Sequence, residues 1–459
     1  MLRDRNDTIA AIATPLGEAG LAIIRVSGAR ATHIVDSVFV GKRPLSAADS
    51  HTIHYGRIVD PTGGIVDEVL VSVFRNPHSY TGEDGVEISC HGSYYGSQKI
   101  LETVIAAGAR MADPGEFTQR AFMNGRIDLM QAEAVADLIH SKTALAHKAS
   151  LEQLEGVLSS EIRNLRQRLI DLCSLLELEL DFAEEGIELA DRKRIGWTFG
   201  EAITELDNLI GSYGYGKLIR DGVKVVLTGS PNVGKSSLLN VLLQENRAIV
   251  SDIPGTTRDV IEETIAIGGI VFRLVDTAGL RETVDSIERE GVRRTYSQIE
   301  SADIILLLID SSDPVGMKRD YLMDLIRKYE DKILVIFNKI DIVDNRRGLG
   351  FSESHDCVRI SCVSHEGVAD LTQRLLGYAL SKCDSNASSE RIQSSRHREL
   401  LEQTLDSVRS AQLAFNNQLG SELVAIDLRA ALNSLGEIIG LTTPDDVLDS
   451  IFSRFCIGK

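Results

Sequence analysis

Three kinds of hydrophobic patterning follow one another along the chain. Up to about residue 119, short apolar runs, LAIIRV (21–26), VLVSVF (69–74) and GVEISC (85–90), are separated by clusters of Gly, Pro, Asn and Asp. Such runs between turn residues predict strands. Apolar positions at three- and four-residue spacing in GSQKILETVIAA (96–107) predict one helix among them. The first block, 1–119, therefore reads as a small α+β domain. From Glu116 to about Lys217 the helical period takes over with almost no Gly or Pro, and GSYGYGK (211–217) is expected to break the long helical region.

A third pattern follows. KVVLTG (224–229), apolar runs near 261–276, DIILLLID (303–310), KILVIFNK (332–339) and VRIS (358–361) alternate with helical stretches. That alternation predicts a doubly wound, mainly parallel sheet. A polar linker, SKCDSNASSERIQSS (381–395), leads back to helical periodicity over 396–452. The fold expected is multidomain, α/β plus α. It has the N-terminal α+β domain, a helical domain in two parts (120–220 and 381–459), and an α/β domain over 221–380 inserted between them, as neighbouring chain ends permit.

Bulk properties narrow the class. At 459 residues the chain exceeds one core. Its formal charge of −18, from 49 Lys+Arg against 67 Asp+Glu, is wrong for broad binding to nucleic-acid backbone. Any RNA contact is expected to be local or delegated to a partner. The six cysteines form no C-x-x-C pair, which suits reduced thiols. The opening residues hold no secretory-type apolar run, and no segment approaches the roughly 20 apolar residues of a membrane span. A cytoplasmic protein with no membrane contact is expected.

The third region carries the chemistry. GSPNVGKSS (229–237) fits G-x-x-x-x-G-K-S as Gly229, Gly234, Lys235 and Ser236, after a strand and before a helix. Backbone N–H groups of Asn232, Val233, Gly234, Lys235, Ser236 and Ser237 would curl around phosphates, with Lys235 on the β/γ oxygens and the Ser236 hydroxyl on Mg²⁺. DTAG supplies Asp276, Thr277, Ala278 and Gly279: Asp276 for Mg²⁺ through water, Gly279 as γ-phosphate sensor. NKID (338–341) supplies Asp341, whose carboxylate accepts from guanine N1–H and its amino group; Asn338 and Lys339 brace the loop and cover the base. Adenine offers no such pair of donors, so GTP is the expected substrate. Ser361 and Cys362 stand where a backbone amide would meet guanine O6. In SDIPGTTRD (251–259), Thr257 is placed as a second hydroxyl ligand for Mg²⁺. Leu280 occupies the position where Ras-like enzymes keep the water-orienting Gln. Another group must act, and Glu282, Glu288 and Glu290 are equally placed by spacing. A solvated helical face is the plain account of all three.

Longer runs outside these motifs carry a resemblance. DTIAAIATPLGEAGLAIIRVSG (7–28), SYTGEDGVEISCHG (79–92), PGEFTQRAFMNGRIDLMQAEAVADLI (114–139), IVSDIPGTTRD, DTAGLRE and the closing FCIGK resemble, in order and over the full length, the MnmE (TrmE) family of bacterial tRNA wobble-uridine modification GTPases. The resemblance implies a homodimer built on an N-terminal folate-binding domain, with a Ras-like G domain inserted in the helical domain. It implies an FAD-dependent partner, MnmG (GidA), in a heterotetramer that carries most of the tRNA contact. The product would be an aminomethyl or carboxymethylaminomethyl group at C5 of U34, with 5-formyl- or methylene-tetrahydrofolate as one-carbon donor and glycine or ammonium as amine.

Positions matching folate contacts are Arg25, Glu87, Arg126 and Lys459; relatives often carry Lys at 126, so the cation is kept with altered geometry. Without the resemblance Arg25 and Glu87 would read as surface charges. Asn232, Ser251, Ile253 and Thr256 match potassium ligands, and Ser236 and Thr257 match Mg²⁺ ligands. Glu288 matches the residue that orients the catalytic water, beside Lys235 as phosphate-binding lysine. Cys456 matches a cysteine near the modification chemistry; a buried structural thiol is the alternative, and C-I-G-K fits a prenylation box poorly. The rival class is a ribosome-assembly GTPase acting as a binding switch, but no RRM or KH signature is present. An ATPase motor conflicts with Asp341.

Overall fold

The computed structural model describes residues 7–181, 192–246, 262–276, 297–312, 319–342, 357–381, 392–453 and 455–459. They form two compact units, Met1–Ala136 with Gln153–Ile170 and Leu432–Lys459, and Asp137–Glu152 with Asp171–Ala431.

In the first unit the turn-punctuated runs become β1 (Ile9–Ile12), β2 (Ala19–Ser27), β3 (Phe39–Gly41), β4 (Thr52–Val59), β5 (Ile65–Phe74), β6 (Gly85–Gly92) and β7 (Arg110–Met111). They make one sheet in the order β3-β4-β5-β6-β2-β1-β7. All neighbours are antiparallel except β1 and β7. Side chains alternate across a strand, so Ile24, Val26, Val86 and Ile88 enter the core while Arg25 and Glu87, paired in register, share the other face. The helix Tyr94–Ala106, capped by the Ser93 hydroxyl on Gly96 N–H, adds Ile100, Leu101 and Val104 to that core. A second cluster joins Leu129, Ala132 and Val135 to Leu448, Phe452 and Phe455, returning the C-terminal segment to this unit.

In the second unit β8 (Val223–Gly229), β9 (Glu262–Ile267), β10 (Ile270–Asp276), β11 (Ile304–Asp310), β12 (Ile333–Asn338) and β13 (Cys357–Arg359) lie in the order β13-β12-β11-β8-β10-β9. Only β9 and β10 are antiparallel. Successive residues of β8 and β11 enter different cores: Val225, Leu227 and Leu306 on one face, Val226, Ile305 and Leu307 on the other. Burial on both faces is why these strands read as unbroken apolar runs. The sheet is the expected doubly wound, mainly parallel one.

Two local expectations need correction. GSYGYGK breaks the helical region only at its start: one helix ends at Gly211, and after Ser212 a further helix runs Tyr213–Asp221. Gly216 in it faces the Ile392 carbonyl so closely that a Cβ would overlap it. This contact offsets the ~1 kcal/mol that glycine costs in a helix. VRIS is strand only to Arg359, because Ser361 turns away to bond Asp341.

Phe272 is fully buried in β10. Phe272→Ala should lower the unfolding free energy by about 3–5 kcal/mol, read as a shifted urea midpoint by circular dichroism. A loss below ~0.5 kcal/mol, the scale of surface changes, would contradict this packing.

Candidate functional site

Strand β8 ends at Gly229, and the loop curls through Asn232 (φ 62°) and Gly234 (φ 99°) into the helix Lys235–Asn246. A run of backbone N–H groups at a helix start is an anion cradle. Lys235 is buried, its Nζ donating to the carbonyls of Gly229 at 3.0 Å and Ser230 at 2.8 Å. The ammonium is thereby held over the loop that would wrap phosphate. Ser236 Oγ donates to Asp276 Oδ2 at 3.2 Å, joining the helix start to the end of β10. Hydroxyl and carboxylate oxygens side by side suit a small hard cation such as Mg²⁺. Val233 is a core residue whose contribution is its carbonyl, and Ser237 is exposed on the helix.

The base end is tied to this loop by one side chain. Asn338, 2% exposed, donates from Nδ2 to Val233 O at 2.8 Å and accepts from Cys362 N–H at 3.3 Å. Lys339 (φ 65°) reaches back to Asp310 at 2.6 Å. Burial would raise the Asp310 carboxyl, but bonds from Lys339 and Ser312 outweigh it and hold it below its ordinary value. Asp341 accepts from Ser361 Oγ at 2.6 Å, and that oxygen accepts from the N–H groups of Val363 and Ser364 at 3.2 and 3.1 Å. The carboxylate is therefore aimed, while remaining exposed for a base. The backbone amides of Ser361 and Cys362 donate to Glu366 O and Asn338 Oδ1. Burial pushes the Cys362 thiol up, against its bond with Asn338 and with Asp341 adding to the rise, so it stays protonated.

A second cluster lies in the other unit. Arg25 donates to Glu87 at 2.9 Å and to the Gly458 carbonyl at 3.3 Å. Its guanidinium sits 5.0 Å from the Tyr80 ring and 5.7 Å from Phe117. Gly458 (φ 95°) lies against the Ile12 carbonyl where a Cβ would clash, so the closing motif needs glycine here. Burial, then the Arg25 charge, lowers the Lys459 ammonium, with Glu87 and Cys456 opposing. Arg25, Glu87 and Lys459 thus meet. Arg126 also lies over Tyr80, at 5.6 Å, and donates to the Ser79 carbonyl. Cys456 is exposed, which removes the buried-thiol alternative; Cys90, by contrast, is a core thiol that burial pushes up to about 11. The sequence reading missed Tyr80, Phe117 and Asp310. Tyr80 and Phe117 stand inside the quoted runs, and an acidic strand end before a lysine motif was the available signal for Asp310.

Ser251, Ile253, Thr256, Thr257, Thr277, Ala278, Gly279, Leu280, Glu282, Glu288 and Glu290 lie outside the described residues. Among the described residues no His, Cys, Asp and Glu group has metal-site spacing, and no helix is long and apolar enough to cross a membrane.

Asn338→Ala removes a buried bracket and leaves Val233 O and Cys362 N–H unpaired, at ~1–3 kcal/mol each. Titration with a fluorescent guanine nucleotide should show affinity falling by about tenfold or more; an unchanged Kd would refute the bracket.

Two family descriptions match the chain: "GTP-binding protein TrmE N-terminus" over residues 8–126 and "MnmE helical domain" over 129–456. Proteins named "tRNA modification GTPase MnmE" are similar end to end. The Salinibacter ruber one is 46% identical over 463 residues, covering 99% of this chain and 100% of that one. The Carboxydothermus hydrogenoformans one is 44% identical, with 99% and 100% covered. The Flavobacterium johnsoniae one is 43% identical, with 99% of each covered. With the nucleotide motifs, both family descriptions and full-length relatives in agreement, the chain belongs to the MnmE family of tRNA modification GTPases.

Proposed function

We propose that this tRNA modification GTPase acts as a homodimer with the FAD-dependent MnmG (GidA), adding an aminomethyl or carboxymethylaminomethyl group at C5 of the wobble uridine. When bound, a reduced folate supplies the one-carbon unit. The observation that carries this reading is the convergence of Glu87 and Lys459 on Arg25, which itself lies over Tyr80, with Cys456 exposed in the same closing motif. A cavity of about 100 Å³ beside Arg25 and Glu87 has an aromatic wall, a carboxylate acceptor and a guanidinium donor. That donor set fits a flat heteroaromatic ring with amino and carbonyl edges, such as a pterin. tRNA would be held mainly by the partner, in keeping with a net charge of −18.

In the nucleotide unit, Ser236 with Thr257 would hold Mg²⁺, Lys235 would bind the β/γ phosphates, and Asp341 would select guanine. Glu288 would orient the attacking water in place of the missing Gln. Asn232 with Ser251, Ile253 and Thr256 would hold K⁺ near the phosphates, where a fixed positive charge stabilises the transition state. Asn232 stands in the left-handed region within the P-loop.

Two experiments test these readings. Cys456→Ser should leave GTP hydrolysis intact and abolish or impair wobble modification, read by nucleoside analysis of tRNA from a deletion strain carrying the variant. Normal tRNA nucleosides in the deletion strain itself, with defective ribosome profiles, would instead favour the ribosome-assembly switch. At matched ionic strength, steady-state GTP hydrolysis should run strongly faster in potassium than in sodium, and Asn232→Ala should remove the difference. Equal rates would refute the cation mechanism.

A further inference from the structure

The cavity beside Arg25 and Glu87 is small for a whole folate. About 100 Å³ is well below the roughly 300–1,000 Å³ of sites that enclose a drug-sized ligand. Phe74, Ser79 and Tyr80 line it, and the same three residues line a neighbouring basin of about 620 Å³. His51, His78 and Arg126 stand in that basin's wall, and none of its lining residues is a carboxylate. The wall is held in place. His51 Nδ1 pairs with the Ser50 hydroxyl at 2.8 Å, and its ring meets Phe74 edge-on at 5.5 Å. Tyr80 is fixed through its hydroxyl to Thr118 at 2.9 Å.

Two further observations mark the passage between the cavities. Arg25 and Arg126 both lie on the Tyr80 ring, one guanidinium belonging to each cavity's lining. Ser79, which lines both, is 8% exposed, and its hydroxyl has no hydrogen-bond partner among the described residues. A buried hydroxyl without a partner is costly, and a polar ligand crossing here would satisfy it.

We propose that this basin takes the glutamate tail of the folate, so that the protein selects poly-γ-glutamylated over monoglutamylated tetrahydrofolate. The inference rests on the folate reading above. The pterin end would occupy the cavity of Arg25 and Glu87, the chain would pass Ser79, and Arg126 with His51 and His78 would meet the tail carboxylates. Arginine pairs with carboxylates in a planar fork and is always charged, and each imidazole offers an N–H donor in either charge state. Arg126 therefore reads the tail and not the ring.

The test is calorimetric titration of the full-length protein with mono- and pentaglutamyl 5-formyl-tetrahydrofolate. The pentaglutamate should bind about tenfold tighter or more, the scale of one charge-assisted hydrogen bond. His51→Ala with His78→Ala, both exposed positions, should remove most of that preference by weakening the pentaglutamate more than the monoglutamate. Equal affinity for the two folates in the unaltered protein would overturn the tail site and leave the folate reading standing. So would a preference that survives both the histidine pair and Arg126→Ala. Binding of neither folate would overturn the folate reading, and the tail site with it.

Discussion

Burying a carboxamide is tolerable only when both its ends are bonded. Asn338 meets that condition by bonding two loops, at Val233 O, 105 residues from it in the chain, and at Cys362 N–H, 24 residues from it. The phosphate loop and the base loop are therefore positioned by one group. The arrangement leans on the sheet beneath it: β8 and β12 run parallel on either side of β11, so their C-terminal ends emerge at the same edge of the sheet. A parallel sheet buried on both faces allows little slippage, since a one-residue shift would exchange the two cores. The rigidity of the strands makes the bracket short, and the bracket sets the distance between phosphate and base.

The first unit solves a different problem. Its sheet is antiparallel over most of its width and offers one face to polar chemistry. Register between β2 and β6 sets Arg25 opposite Glu87. The last residues of the chain close on that pair only because Gly458 can lie against the Ile12 carbonyl. A motif of five residues thus has two jobs. Phe455 anchors it in the apolar cluster, and Gly458 and Lys459 present backbone and charge to Arg25 and its neighbours.

Charge is handled locally in both places. The chain carries an excess of acid, yet three of its functional cations are matched to a carboxylate or carbonyl: Arg25 to Glu87, Lys339 to Asp310, Lys235 to Gly229 and Ser230. Such pairing keeps a buried cation from costing several kcal/mol. It also holds each side chain near one geometry before any ligand arrives, which lowers the ordering cost of binding.

The sequence by itself determined the strand and helix blocks, the doubly wound sheet and the nucleotide motifs, because periodicity and loop chemistry act over a few residues. It also placed Arg25, Glu87 and Lys459 on one list, through resemblance alone. Tertiary structure decided what those residues touch. Tyr80 and Phe117 as the wall around Arg25, Asp310 as the partner of Lys339, and the use of the Ser361 and Cys362 amides within the protein all depend on contacts between distant segments. Gly216 makes the same point in reverse. Three glycines in GSYGYGK read as a break, and one helix does end at Gly211, yet a further helix starts at Tyr213 and passes through Gly216, where another backbone, at Ile392, packs in place of a side chain. Local propensity is worth ~1 kcal/mol per glycine, and a close backbone approach between segments far apart in the chain overrides it.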